Sequence, residues 1–169
     1  MIGKIIIING APGVGKSTTA ELLAQSSQNS VCIRGDDIKH WIVNRNSEDL
    51  TKGLTYINGG ACCRNYLQAG YELIVFEYVF TKKVDVERFI ENCGINSCFI
   101  FTLIAPLSII KQREKLRHNR KTLGKAVDIA YDEIIQNKSD LGTFIDTEFL
   151  SPSEVCELIH QSIRKATIN

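Results

Sequence analysis

Three groups of side chains in this 169-residue sequence have the types and spacing to do chemistry. The first is Gly10-Ala11-Pro12-Gly13-Val14-Gly15-Lys16-Ser17, the full G-x-x-x-x-G-K-[ST] spacing. Glycines let backbone wrap a phosphate with no Cβ in the way. The N–H groups of such a loop point inward as an anion nest, at the positive end of the following helix. Lys16 is expected to reach the β- and γ-phosphates, and the Ser17 hydroxyl to hold Mg²⁺. Thr18 adds a hydroxyl near the α-phosphate. The spacing predicts nucleotide binding but does not by itself separate a kinase from a GTPase or a motor.

The second group is Arg34-Gly35-Asp36-Asp37. An acceptor hydroxyl attacking a γ-phosphate needs a base beside it to take its proton. A carboxylate at a strand's carboxyl end, next to the phosphate loop, is placed for that and could also orient Mg²⁺ waters. Asp36 is the expected base and metal-side residue. Asp37 is expected to cap a helix over residues 38–44 or to face substrate. The two could exchange roles.

The third group is basic. Residues 111–125 hold Lys111, Arg113, Lys115, Arg117, Arg120, Lys121 and Lys125 against the single acid Glu114. The whole chain carries only +1, so positive charge is concentrated here. On one helix Arg113, Arg117 and Arg120 would share a face, where like charges repel. A triphosphate turns that repulsion into a gain, because guanidinium forks match phosphate oxygens. The alternative is a solvated basic face; position after a strand of a nucleotide-binding domain favours a closing lid.

Short β-branched runs alternating with helical stretches must position these groups. Strands are expected at 4–9, 31–34, 73–76, 97–104 and 143–146. Helices are expected at 17–26, 38–44, 48–68, 84–92 and through the basic segment. The four isoleucines Ile5 to Ile8 do not alternate with polar residues, which suits a central parallel strand covered on both faces. Pro106 fits the first turn of the basic helix. Ser151-Pro152-Ser153-Glu154 reads as a capping box opening the last helix. Alternation of this kind predicts a three-layer α/β domain with a parallel sheet, whose ligands lie at the strands' carboxyl ends.

Composition sets outer bounds. Hydrophobic residues make up 44% and charged residues 23%, ordinary for a globular protein. The net charge gives no reason to expect nucleic acid, and no apolar run is long enough to span a bilayer. The first ten residues lead into the glycine loop rather than a cleavage site, so a cytoplasmic protein is expected. The six cysteines form no C-x-x-C pair and are expected to be reduced and structural. His40, His118 and His160 are too dispersed to predict a metal cluster.

With these motifs placed, the chain resembles a small P-loop kinase of the chloramphenicol phosphotransferase-like group, and is similar to gluconate and shikimate kinases. The resemblance spans nearly the whole chain, 1–169 as one domain. It rests on GAPGVGKST, RGDD, LIAP before the basic helix, R-x-x-x-R-x-x-R and IDTEFLSPSEV. It implies a P-loop nucleoside triphosphate hydrolase fold with a five-stranded parallel sheet, the P-loop strand in the middle and a helical arginine lid over about 113–125. It implies ATP and Mg²⁺, Asp36 as base, Arg113 near the adenine, and Arg117 and Arg120 on phosphates. Asp146 and Thr147 would line the adenine site or simply make a turn.

On the acceptor side, expected over about 38–70, Trp41 could stack a ring or merely pack. Arg64 could pair a substrate anion, as an arginine near this place does in shikimate kinase, or be solvated. Gly59 and Gly60 would admit a ligand or break the helix. Glu77 ends the third strand where many relatives have Asp, so its role toward Mg²⁺ or substrate stays open. The leading expectation is ATP-dependent transfer to a small-molecule hydroxyl. A nucleoside or nucleotide kinase would want more base-reading groups near the acceptor. A polynucleotide 5′-hydroxyl kinase would want a basic groove. A switch ATPase would want a residue positioning the attacking water.

Overall fold

The computed structural model describes residues 3–44, 53–116 and 123–168. The first strand, β1 (Lys4–Gly10), leads into α1 (Lys16–Gln25). Next come β2 (Ser30–Arg34), α2 (Gly35–His40) and α3 (Leu54–Gln68). Then follow β3 (Leu73–Glu77), α4 (Lys83–Cys93), β4 (Phe99–Ile104) and α5 (Leu107–Lys115). The chain ends with α6 (Lys125–Gln136), a 3₁₀ turn (Lys138–Asp140), β5 (Thr143–Asp146) and α7 (Pro152–Ile168). All strand pairs are parallel, in the order β2-β3-β1-β4-β5. The phosphate-loop strand is therefore central, as the uninterrupted isoleucines predict.

Those isoleucines divide the core. Ile6 and Ile8 pack with Leu23 of α1 and Ile159 of α7. Ile5 and Ile7 face the other way, with Cys63 of α3, Phe89 of α4 and Ile134 of α6. Ile7 and Ile8 are wholly buried, and each such side chain stabilises the fold by about 1.5–3 kcal/mol relative to an exposed one. Two helical layers over one sheet are the consequence.

The described segments differ from the expected ones at four places. Helix α2 starts at Gly35, with extended Arg34 at its N-cap, so Asp36 and Asp37 occupy the first turn rather than a cap. Acids there still meet the positive helix end. Pro106 is the N-cap of α5, not a first-turn residue. Helix α5 ends at Lys115 and α6 begins at Lys125, so residues 111–125 are not one helix. Gly59 and Gly60 do not break α3. A Cβ on Gly60 would stand 2.4 Å from the Phe89 carbonyl oxygen, and one on Gly59 2.6 Å from the Phe76 ring. Both glycines serve helix packing, not ligand access.

The cysteines are all free thiols. Cys63 hydrogen-bonds Cys93 inside the core, and this contact together with burial pushes its thiol up. Burial likewise pushes Cys98 up to about 12. High thiol values mark inert, structural cysteines. Ser151 and Glu154 form the expected box: Oε2 of Glu154 accepts from the Ser151 amide at 2.7 Å, and Ser151 Oγ accepts from the Glu154 amide at 3.3 Å. Among the described residues no helix is long and apolar enough to cross a membrane.

Candidate active site

The glycine loop joins the end of β1 to α1. Gly15 is the left-handed N-cap of α1, and Gly13 has φ 97°. A Cβ on Gly13 would stand 2.7 Å from the Ile110 carbonyl oxygen, so α5 braces the loop from outside. Lys16 is buried, and its Nζ donates to the Ala11 carbonyl at 3.2 Å. Asn9, fully buried, sets the loop's entry. Its Oδ1 accepts from the amides of Gly10 at 2.7 Å and Phe80 at 2.8 Å. Its Nδ2 donates to Thr102 Oγ1 at 3.0 Å, and that hydroxyl donates to the Leu141 carbonyl at 2.6 Å. One amide thus ties together β1, β4 and the chain after β3. Asn9 was not singled out from sequence, although a lone polar residue closing an isoleucine run was the available signal.

Beyond the loop, at the carboxyl ends of β2 and β3, lies a cavity of about 200 Å³. Lys16, Ser17, Asp36, Lys39, Glu77 and Tyr78 are among its walls. Ser17 Oγ donates to Glu77 Oε1 at 3.0 Å. Glu77 is buried and lies in register between Ile8 of β1 and Arg34 of β2. Burial, with the Glu77 charge as a smaller cause, pushes the neighbouring Cys32 thiol up to about 11. Asp36 is half-buried and lines this cavity; Asp37, the next residue on α2, is exposed and does not. Helical geometry separates adjacent side chains by about 100°, which parts the two acids. The hydroxyl of Ser17 with the carboxylates of Glu77 and Asp36 is a hard-oxygen donor set, which fits Mg²⁺. No three His, Cys, Asp or Glu among the described residues form a metal cluster, and Mg²⁺ normally completes its shell with water and phosphate oxygens.

On the other side of the loop a second cavity, about 230 Å³, is walled by Gly15, Thr18, Arg113, Thr147, Pro152 and Val155. Arg113 Nη1 donates to Thr147 Oγ1 at 3.1 Å, and Nη2 donates to the carbonyls of Thr147 at 2.9 Å and Glu148 at 3.2 Å. Three bonds from its two Nη atoms tie the guanidinium to the turn after β5. Buried Thr147 also donates to the Ile104 carbonyl at 3.1 Å. Asp146 is exposed, and its Oδ1 accepts from the Glu148 amide at 2.9 Å. It shapes the turn, while Thr147 lines the cavity.

The remaining candidates are not gathered here. Trp41 is 62% exposed, just past α2. Arg64 is exposed on α3 beside Gly94, which caps α4 ahead of the amino end of β4. That is the opposite end of the sheet from the phosphate loop. Arg117 and Arg120 lie outside the described residues. Sequence reasoning missed Lys39, Tyr78, Leu123 and Ala126, all walls of the first cavity. Lys39 stands one helical turn beyond Asp36, a spacing that could have found it. Leu123 and Ala126 depend on the start of α6, which was not foreseen.

The profile of the AAA domain family matches residues 6–136. No curated protein matches the chain by sequence. Among solved structures, the Deinococcus radiodurans tunicamycin resistance protein superposes with a TM-score of 0.72 at 21% identity, covering 95% of each chain. Shikimate kinase from Acinetobacter baumannii, in complex with shikimate, superposes with a TM-score of 0.67 at 15% identity, covering 99% of this chain and 96% of that one. A gluconokinase from Sinorhizobium meliloti gives a TM-score of 0.65 at 16% identity, covering 92% and 89%. At these identities the likeness establishes a shared fold: the five-stranded α/β P-loop fold of the small kinases, as the sequence motifs predict.

Proposed function

The chain belongs to the AAA domain family, and from that premise we propose that it is a phosphotransferase, moving the γ-phosphate of ATP to a hydroxyl of a small molecule. One observation carries the reading: Asp36, Lys16, Ser17 and Glu77 wall a single cavity at the carboxyl ends of the strands. A hydroxyl acceptor needs room beside the γ-phosphate position and a carboxylate to take its proton, and this cavity supplies both. The gluconokinase and shikimate kinase neighbours are small-molecule kinases by name, which supports the same class.

In this mechanism the nest N–H groups and Lys16 bind the β- and γ-phosphates. Arg113 and Thr147 bound the second cavity, which takes the purine base. Asp36 accepts the proton of the acceptor hydroxyl as its oxygen bonds to the γ-phosphorus. The bond from that phosphorus to the β–γ bridging oxygen breaks, and ADP leaves. Ser17, backed by Glu77, and Asp36 would hold Mg²⁺, which when bound neutralises charge on the phosphate oxygens. Arg117 and Arg120, by resemblance, add positive charge to the transferred group. Arg64, at the opposite end of the sheet from the phosphate loop, has no part in this mechanism.

The test is incubation with MgATP and pooled sugars, sugar acids, nucleosides and antibiotics, followed by mass spectrometry for phosphorylated products. A product formed by the unaltered protein and absent with Asp36→Asn is the expected result. ADP release with no phosphorylated compound in any pool overturns the reading in favour of a plain ATPase.

A further inference from the structure

We propose that Glu114 is a positioning residue of the acceptor cavity, acting through the backbone amide of Leu123. The inference rests on the phosphotransfer reading above and adds a residue to it. Glu114 lies in the last turn of α5 and is only 7% exposed. A buried carboxylate is costly unless its oxygens are paired. Here Oε1 accepts from the Leu123 amide at 2.8 Å, a bond between residues nine apart. It joins the chain on either side of residues 117–122.

Both ends of this contact touch the active site. The Glu114 Cβ stands 3.0 Å from where a Cβ on Gly13 would lie, so the residue sits against the phosphate loop. Leu123 is a wall of the cavity that also holds Asp36 and Lys16. Leu123 is half exposed, at 51%, so its own packing does little to hold it. The bond from its amide, together with the Ala126 amide donating to its carbonyl at 3.1 Å, holds its backbone in place. Hydrogen bonds to charged groups are among the stronger ones in proteins. Arg113, the preceding residue, turns to Thr147 and the purine cavity instead. Two neighbouring side chains of α5 therefore serve the two cavities separately. Glu114→Ala keeps the Cβ that meets the phosphate loop and loses only the bond to Leu123, so the acceptor side should be disturbed more than the nucleotide side.

The experiment compares Glu114→Ala with Glu114→Gln, which keeps a carbonyl oxygen to accept the bond. Amide hydrogen exchange at Leu123 reads the bond directly, without any acceptor. Exchange there is expected to speed up about tenfold in the alanine variant and to stay within about twofold in the glutamine variant. With the compound giving most product in the pooled screen, KM for that acceptor is expected to rise about tenfold in Glu114→Ala, with KM for MgATP within about twofold. Thermal melting of both variants separates this from unfolding. Unchanged exchange at Leu123 in Glu114→Ala overturns the inference. So does an unchanged acceptor KM, or an equal rise in both KM values that glutamine does not rescue. A wild-type protein that phosphorylates nothing overturns the phosphotransfer reading and this inference with it; normal transfer by both wild type and Glu114→Ala overturns the inference alone.

Discussion

The Ser17 hydroxyl donates to Glu77 Oε1 at 3.0 Å, linking the first turn of α1 to the last residue of β3. In the proposed mechanism Ser17 is the loop's metal-side hydroxyl, and its orientation is set by a carboxylate sixty residues away in sequence. Removing a group that orients a metal ligand typically lowers metal affinity or activity by 10–100-fold. Glu77→Ala is therefore expected to weaken Mg²⁺-dependent ATP turnover by about 10–100-fold. Nucleotide affinity measured in EDTA should hold. Equal loss with and without Mg²⁺, seen by titration calorimetry, would assign Glu77 to general stability instead.

Asp36 and Asp37 are chemically alike and differ in where α2 sends them. Asp36 faces the cavity of Lys16 and Ser17, and Asp37 faces solvent. A general base contributes about 10²–10⁴-fold to rate. Asp36→Asn should lose that much in kcat at unchanged ATP affinity. Asp37→Asn should stay within about threefold, as befits an exposed acid in a helix's first turn. A reversed pattern would transfer the base to Asp37.

Arg113 makes three hydrogen bonds to Thr147 and Glu148 with its planar fork. Lysine presents a point charge and cannot reproduce that geometry. Both Arg113→Lys and Arg113→Ala are expected to raise the Kd of ADP about tenfold, near 1.4 kcal/mol. Fluorescent-nucleotide displacement checks this, and full affinity in the lysine variant would show that charge alone matters.

Gly60 has no room for a methyl group, because its Cβ would meet the Phe89 carbonyl at 2.4 Å. Overpacking at such a contact costs about 1–3 kcal/mol. Gly60→Ala should lower Tm with little change in KM for MgATP. A melting curve identical to wild type would mean that α3 and α4 can move apart freely.

The capping box carries a pH dependence. Hydrogen bonds from Ser151 hold the exposed Glu154 carboxyl below its ordinary value of 4.5. A carboxylate with a depressed folded value adds stability that is complete above its unfolded value and lost as pH falls through the folded one. Wild type should therefore lose this contribution as pH drops below about 4.5, and Glu154→Gln should not. Thermal melts of both proteins across that window decide it; parallel curves would remove the carboxylate from the account.

Much of this molecule was legible in its residues. The glycine loop, the isoleucine strand and the capping box each act through neighbours within a few positions, so local spacing determined their form. The central place of β1 followed from its non-alternating run, because only a strand covered on both faces can bury Ile5 to Ile8 together. The sequence also marked the acid pair, the basic segment and the turn after β5 as places of interest. Tertiary structure separated the members of the acid pair and of the turn after β5. A start for α2 at Gly35 turned Asp36 inward and Asp37 outward. Strand register set Glu77 against Ser17. Packing of α3 on α4 explained Gly60 and carried Arg64 to the wrong end of the sheet. Asn9 and Glu114 gain meaning only from partners brought by the fold, Phe80 and Thr102 for one, Gly13 and Leu123 for the other. The physical reason is common to all of these: a buried polar group is worth what its partners make it, and partners distant in sequence are chosen by the fold.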